Sequence, residues 1–245
     1  MNILSKAKIY TSKLGGYKIL LNQKNNSSLF LIIAGFFISS LLLSNVIAGK
    51  LISIAGLALP GAVILFPLTY IFGDVLTEVY GFKKTRMVIW LGFACNLLMV
   101  GVFALVMAIP SPDFFKAESA FATVLGMTPR IVFASLLAYL TGEFCNSVLL
   151  SRMKIWTAGR HLWVRTIGSS LVGEGMDTLI FIGLAFWGTL PAGVLGQMMV
   201  FQYLFKIAYE TAITPLTYWV VGYLKRQEGI DTYDYGVDYN PFQWD

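Results

Sequence analysis

Long apolar stretches alternate with short polar ones along most of the chain. Six of the stretches are close to the roughly 20 residues that an α-helix needs to cross a bilayer. Their expected boundaries are 29–48, 61–80, 87–109, 131–150, 166–187 and 195–224. The pattern predicts an all-α, polytopic membrane protein with six transmembrane helices.

Two further segments interrupt this alternation. Residues 51–60 are apolar but too few to span, so we expect a loop, a half-helix or a re-entrant piece there. Residues 110–129 carry mixed charge and are expected to form a longer loop. The chain therefore divides into a polar, basic N-terminal segment (1–28), a transmembrane transport domain (29–225) and an acidic, aromatic C-terminal tail (226–245), which we expect to be disordered.

Composition and charge agree with a membrane location. Hydrophobic residues make up 57% of the chain and charged residues 13%, and the mean hydropathy is +0.70. If the N-terminus is cytoplasmic, 14 of the 18 Lys and Arg residues fall on the cytoplasmic side. Because cytoplasmic loops attract Lys and Arg, both termini are predicted to be cytoplasmic. The net charge of +5 then reflects topology, and no nucleic-acid partner is expected.

The usual signatures of metal sites, disulfides and common enzymes are missing from the sequence. Cys95 and Cys145 both lie in apolar runs, and His161 is the single histidine. No GxxxxGK[ST] phosphate loop or HExxH motif occurs. We therefore expect no cofactor, no metal, no enzymatic activity and no ATP hydrolysis by this chain.

Carboxylates inside the predicted spans are the main functional signal. Asp74 and Glu78 lie four residues apart near the end of the second span, on one face of a helix. A carboxylate at the centre of a membrane helix costs about 2.5–3.5 kcal/mol on insertion scales, so it usually faces a cavity, a partner or a substrate. The predicted spans hold six acids: Asp74, Glu78, Glu143, Glu174, Asp177 and Glu210. We expect several of them to line one cavity.

A loose pattern recurs around these acids, in which Gly and an acid are followed, after two spacers, by two polar residues. It reads Gly73-Asp74 with Thr77-Glu78, Gly142-Glu143 with Asn146-Ser147, and Gly173-Glu174 with Asp177-Thr178. Small residues let helices approach closely, and buried acids need donors or water. The pattern predicts a polar interior built where helices are in close contact.

Structural explanations remain open for several of these residues. Lys206 and Glu210 lie at i and i+4 and could neutralise each other, or they could act with Glu143 in coupling. Asn45, Asn96 and Asn146 could be interhelical hydrogen-bonding residues. A functional site of this kind suits a ligand rich in N–H donors, because carboxylates and amides accept paired hydrogen bonds. Buried acids also suit a proton-coupled carrier.

The sequence resembles the queuosine precursor transporter family of bacterial inner membranes, also called the vitamin uptake transporter family. The resemblance covers residues 30–225 and rests on Ser44-Asn45, on the stretch from Gly73 to Gly81 and on Gly173-Glu174 with Asp177-Thr178. It implies six helices and uptake of 7-deazaguanine bases for tRNA modification. By this resemblance the positions expected to recognise the base are Asn45, Asp74, Glu78, Glu174 and Asp177, to which we add Asn146 as a further substrate-binding candidate.

These observations favour a multi-pass secondary transporter of the cell inner membrane that imports a small nucleobase, with proton coupling as an option. The alternative is a substrate-binding membrane subunit of an ATP-driven uptake complex. An intramembrane enzyme is disfavoured, because no recognisable catalytic pair is present. The expected partners are the nucleobase and the lipid bilayer, and a homodimer stays open.

Overall fold

A computed structural model describes residues 28–54, 57–126 and 129–243. These residues contain seven α-helices and one two-stranded hairpin. The helices are α1 (Ser28–Ile47), α2 (Phe66–Tyr80), α3 (Phe82–Ala108), α4 (Glu118–Leu125), α5 (Pro129–Trp156), α6 (Leu162–Phe186) and α7 (Ala192–Glu228). The predicted N-terminal segment lies outside the described residues, except for Ser28.

Six of these helices correspond in position to the six predicted spans. By length and apolar composition, four described segments could cross a membrane: Ser28–Ile47, Phe82–Ala108, Glu118–Trp156 (which includes α4 and α5) and Leu162–Phe186. Helix α2 has only 15 residues, and α7 has 37 residues with Pro215 inside. The mainly helical fold is therefore confirmed, whereas six spans and the orientation of the termini remain predictions.

The short apolar segment after α1 is a β-hairpin, so the expected irregular loop and half-helix are not formed, and a re-entrant position in the membrane remains a prediction. Strand β1 (Leu51–Ile54) pairs antiparallel with β2 (Leu57–Pro60), with Leu51 opposite Pro60. The pairing satisfies the backbone of a segment too short to span as a helix. A 3₁₀ turn (Gly61–Ile64) then leads to α2, which has proline near its first position. The helix thus begins five residues later than the predicted span.

Two predicted loops also differ from the structure. The expected loop 110–129 contains α4, an exposed helix of eight residues. The expected basic loop after the second span is a single residue, Gly81, whose φ of +84° suits glycine. Helix α3 begins directly after it, so the basic residues 83–86 belong to a helix.

The long helices run alternately between two ends of a bundle. One end, here called the hairpin end, carries the β-hairpin and the start of α2 and α7. The other, the Gly81 end, carries the α2–α3 turn and the ends of α5 and α7. Between them, Phe37, Leu41, Leu76 and Ile89 are buried in the apolar core. Large apolar side chains such as Leu98, which is 67% exposed, cover the outside, as expected for lipid contact.

Residues 229–243, here called the C-terminal strap, fold back across the Gly81 end, so the expectation of a disordered tail is wrong. The Asp234 carboxylate accepts hydrogen bonds from the Phe82 backbone N–H (2.9 Å) and from Ser151 (2.6 Å). Arg86 donates to backbone carbonyls of the strap, and Trp90 donates to the Pro241 carbonyl at 2.8 Å. These partners satisfy polar groups of the strap that a disordered tail would leave to water.

Candidate functional site

The polar interior is built from the facing sides of α6 and α7. On α6, Ser170, Glu174 and Asp177 follow one another at intervals of four and three residues, and all are buried. On α7, Gln202 and Lys206 precede Glu210 at intervals of four, and they are buried too. Residues at these spacings share one helix face. The two helices therefore present polar faces to each other.

Close helix packing brings α5 and α2 against the same interior. At Gly142 of α5, an added Cβ would lie 2.9 Å from the Asp177 Cβ and 3.0 Å from the Gly173 carbonyl oxygen. At Gly173 of α6, it would lie 2.7 Å from the Asn146 Cβ. Neither position has room for a side chain. The two glycines of the recurring pattern thus let α5 and α6 approach closely around the buried acids.

A chain of hydrogen bonds in the middle of the bundle links helices α2, α5, α6 and α7. Asn146 donates to Asp74 at 2.7 Å, and Ser170 donates to Glu210 at 2.8 Å and to the Asn146 amide oxygen at 3.3 Å. All four residues are at most 3% exposed. Two of the predicted binding residues, Asp74 and Asn146, are therefore hydrogen-bonded to each other. Every donor in this series of hydrogen bonds is an uncharged side chain.

Two other acids in this region accept no hydrogen bond from any side chain or backbone group that the structure describes. Both carboxylate oxygens of Glu143 and both of Glu174 are buried without a hydrogen-bond partner, and so is the hydroxyl oxygen of Tyr70. Buried carboxylates without donors are costly in the charged form. These groups are thus chemically suited to hold a proton or to meet a polar ligand.

Lys206 forms its ion pair with Asp177 of α6, and the predicted pair with Glu210 is not formed. The Lys206 ammonium lies 2.5 Å from the Asp177 carboxylate, and it also lies 4.6 Å from the centre of the Phe66 ring. Glu210 instead accepts the hydrogen bond from Ser170. The spacing on α7 would permit a pair between Lys206 and Glu210, but the Lys206 ammonium instead pairs with the Asp177 carboxylate on the facing helix.

A cavity lies at the hairpin end of the bundle, and this ion pair forms part of its lining. Its internal volume is about 40 Å³, and the space rises to about 500 Å³ only when the part that is open to the outside is counted. Its polar lining consists of Asn45, Ser135, Asp177, Gln202 and Lys206, and Phe66 and Phe181 supply aromatic walls. Of the predicted binding residues, Asn45 and Asp177 line the cavity, while Asp74, Asn146 and Glu174 do not.

Asn45 is held in place by hydrogen bonds to two other helices. Its amide nitrogen donates to Asn96 of α3 at 3.1 Å, and its amide oxygen accepts from Ser135 of α5 at 2.9 Å. The suggested interhelical role of Asn45 and Asn96 is therefore confirmed. A role of Asn45 in binding remains a prediction.

Glu78 lies far from the cavity, in a group of five charged residues at the Gly81 end, here called the charged cluster. Arg165 donates to both of its carboxylate oxygens at 2.8 Å, and Lys225 lies 2.6 Å from one of them. Lys154 lies 3.5 Å from the same oxygen and 2.6 Å from Asp231 of the strap. Of the six acids, Asp177 alone lines the cavity, so the expectation that several of them line one cavity is wrong, and Glu78 is paired separately.

Asp231 connects the charged cluster to the C-terminal strap. Burial acts to raise the pKa of its carboxyl, but hydrogen bonds from Lys154 and Lys225 outweigh that effect and hold the pKa below its ordinary value of 3.8. Asp231 is therefore ionised at neutral pH, and it ties the strap to the ends of α5 and α7.

Several interior residues could not be found from the sequence. The predicted spans end at 150 and 224 and begin again at 166, so the pattern of apolar runs places Lys154 and Arg165 in a cytoplasmic loop and Lys225 at the end of the last span. Gln202 was overlooked, although it lies four residues before Lys206, and that spacing was the available signal. In the described ranges, no three His, Cys, Asp or Glu side chains are arranged to hold a metal ion.

Comparison with known proteins agrees with the sequence resemblance. The family model described as "Putative vitamin uptake transporter" matches residues 60–220. A "Probable queuosine precursor transporter" of Bacillus subtilis is 30% identical over 71% of this chain and 77% of its own length. The "Queuosine precursor transporter" of Escherichia coli is 26% identical over 67% of this chain and 73% of its own length. No solved structure matches the chain significantly.

The family match and the relatives agree with the long apolar helices. The protein is a multi-pass protein of the cell inner membrane. Because the family model covers well over half of the sequence, the chain belongs to the vitamin uptake transporter family.

Proposed function

We propose that this protein is a secondary transporter that imports queuosine precursors, the 7-deazaguanine bases, across the inner membrane. The observation that carries the proposal is the polar interior. It consists of two groups, the Asp177–Lys206 pair at the cavity and the hydrogen-bonded acids in the middle of the bundle, and Lys206 and Glu210 lie one turn apart on α7. The printed names of the relatives support the choice of substrate.

In this proposal the cavity receives the base, and its polar and aromatic lining suits a flat molecule with a hydrogen-bonding edge. Asn45 and Asp177 contribute to recognition from the cavity wall. Asp74, Asn146 and Glu174 would meet the base deeper in the bundle, once the path has opened. Glu78 lies at the opposite end, paired with three cations of the charged cluster, where its role is to close that end.

The buried acids also support proton coupling. Asp74 and Glu210 have only uncharged donors, and neither Glu143 nor Glu174 has a donor among the described residues. Such groups can gain or lose a proton without breaking an ion pair. We assign proton transfer to this group, with the Asp177–Lys206 pair at its border with the cavity.

The proposed topology has six transmembrane helices, α1, α2, α3, α5, α6 and α7, with both termini in the cytoplasm. The Gly81 end is then cytoplasmic and closed by the charged cluster, and the cavity faces the outside. The distribution of Lys and Arg supports this orientation. Cysteine accessibility at exposed positions of α4 and of the strap tests it, since α4 should react from outside and the strap only from inside.

Uptake by the purified chain tests the function itself. Reconstituted into liposomes with an inward proton gradient and no ATP, the protein should accumulate labelled 7-deazaguanine, and collapse of the gradient should abolish accumulation. Glu174→Gln should remove the response to the gradient, whereas Asp113→Asn, a matched change at an exposed acid, should not. Accumulation that requires an added ATP-hydrolysing partner would instead establish the alternative of a substrate-binding subunit.

A further inference from the structure

Gln202 is the cavity residue whose side-chain carbonyl oxygen lacks a hydrogen-bond partner among the described residues. This oxygen is buried, and Gln202 itself is 7% exposed. The other polar lining groups are occupied. Asn45 is bonded to Asn96 and to Ser135, and Asp177 is paired with Lys206. A buried amide oxygen without a partner is costly, and a bound ligand can supply the missing donor.

The position of Gln202 in the cavity would let it form hydrogen bonds to the edge of a bound ligand. It lies one helical turn before Lys206 on α7, and Phe181 lies one turn after Asp177 on α6. One turn corresponds to about 5.4 Å along the helix. The carboxamide and the aromatic ring therefore lie about one helical turn closer to the hairpin end than the ion pair, and all four residues line the cavity.

The chemistry of Gln202 and Phe181 defines the ligand class. A carboxamide offers one acceptor and a donor side by side, which matches a ring N–H beside a C=O. Phe181 offers a flat surface on which such a ring can stack. The carboxylate of Asp177 already holds an ammonium at 2.5 Å, so it is not free to make this paired contact.

We propose that Gln202 is the residue that selects the substrate, by pairing with the lactam edge of an uncharged planar base. Its amide oxygen accepts the ring N–H, and its amide nitrogen donates to the neighbouring carbonyl. This inference rests on the proposed function, because it takes the imported base as the ligand. It differs from recognition by an acid, since it assigns the first contact to a neutral side chain.

Binding of two closely related bases tests the assignment. The probes are 7-deazaguanine and its N1-methyl analogue, in which the ring N–H is blocked, measured by calorimetry on the full chain in nanodiscs. The wild type should bind the parent base about 10- to 100-fold more tightly than the analogue, the range given by one good paired contact. Gln202→Met, which keeps the length of the side chain, should lose that preference by weakening the parent base alone.

Two controls separate selection from folding. Gln197→Met makes the same change on the same helix at an exposed position and should behave as the wild type. Gln202→Asn retains the amide on a shorter side chain, and it should weaken the parent base while keeping the order of preference. If Gln202→Met still prefers the parent base to the same degree, Gln202 does not select the substrate.

A different result would count against the proposed function instead. If the wild type binds neither base, the imported molecule is not a 7-deazaguanine, and both proposals fall together. If the wild type binds both bases equally and still transports them, the transport function stands, and the assignment of Gln202 as the selecting residue is overturned.

Discussion

Replacement of Glu78 separates a role in binding from a role in holding the bundle together. Its carboxylate is fully buried, and Arg165, Lys225 and Lys154 all lie within 3.5 Å of one of its oxygens. The charged cluster holds three cations and two carboxylates. Glu78→Gln leaves three cations facing one carboxylate, that of Asp231, which is itself partly exposed.

The expected loss of stability is large, because breaking a buried ion pair by removing one partner costs about 3–5 kcal/mol. For a chain of this length each kcal/mol corresponds to about 2–4 °C in melting temperature. Glu78→Gln should therefore lower the melting temperature of the purified protein by at least about 6 °C. Thermal unfolding in detergent, followed by tryptophan fluorescence, measures the change.

Asp74→Asn is the matched comparison on the same helix. Asp74 accepts a hydrogen bond from the neutral Asn146 and has no cation within salt-bridge distance among the described residues. An asparagine oxygen can accept the same bond, so the melting temperature should change by less than about 2 °C, equivalent to less than about 1 kcal/mol. Glu118→Gln, at an exposed acid of α4, controls for loss of charge alone.

The comparison has a result that would refute the reasoning. If Glu78→Gln melts within about 2 °C of the wild type and yet loses uptake, the charged cluster does not stabilise the bundle. Glu78 would then act on the substrate directly, as the sequence resemblance implies.

Three further predictions follow from the close packing, the second ion pair and the strap. Gly142→Ala places a methyl group within 3.0 Å of α6 and should cost about 1–3 kcal/mol in thermal unfolding, whereas Gly183→Ala, with open space around it, should cost nothing. Lys206→Met should destabilise strongly by leaving Asp177 unpaired, and adding Asp177→Asn should restore much of the lost melting temperature. The ionised form of Asp231 holds the strap, so this contribution is complete above pH 3.8, its ordinary pKa, and is lost as the pH falls through its lower pKa in the folded protein. The protection factors of the strap amides, which correct for the intrinsically slower exchange in acid, should therefore fall in acid in the wild type, and Asp231→Asn should show lower protection factors already at neutral pH.

The sequence predicted those features that depend on the local composition of the chain. Apolar runs located the long helices, and the acids within them located the polar interior. The glycines at 142 and 173 indicated close helix contact, which the structure confirms. Each of these signals lies within about 20 residues of the feature that it predicts.

The features that were missed depend on partners far apart in the chain. Arg165 is 87 residues from Glu78, and its charge placed it in a predicted loop, although it turns inward at the start of α6. The strap is acidic and aromatic, a composition that also occurs in disordered tails. Its order comes from Phe82 and Arg86, about 152 residues away. Local composition carries no information about such partners.

Whether a buried acid pairs with a cation or with a neutral donor depends on where it lies in the bundle. At the two ends of the polar interior, Glu78 and Asp177 are satisfied by cations. In the middle, Asp74 and Glu210 accept side-chain hydrogen bonds only from neutral groups, and one Glu210 oxygen has no partner among the described residues. Charge is most costly at the centre of a membrane, so uncharged donors there leave the acids free to be neutral. In the proposed proton-coupled carrier, a proton would enter or leave the middle of the bundle while both ion pairs stay intact, so protonation would not break the contacts that hold the two ends together.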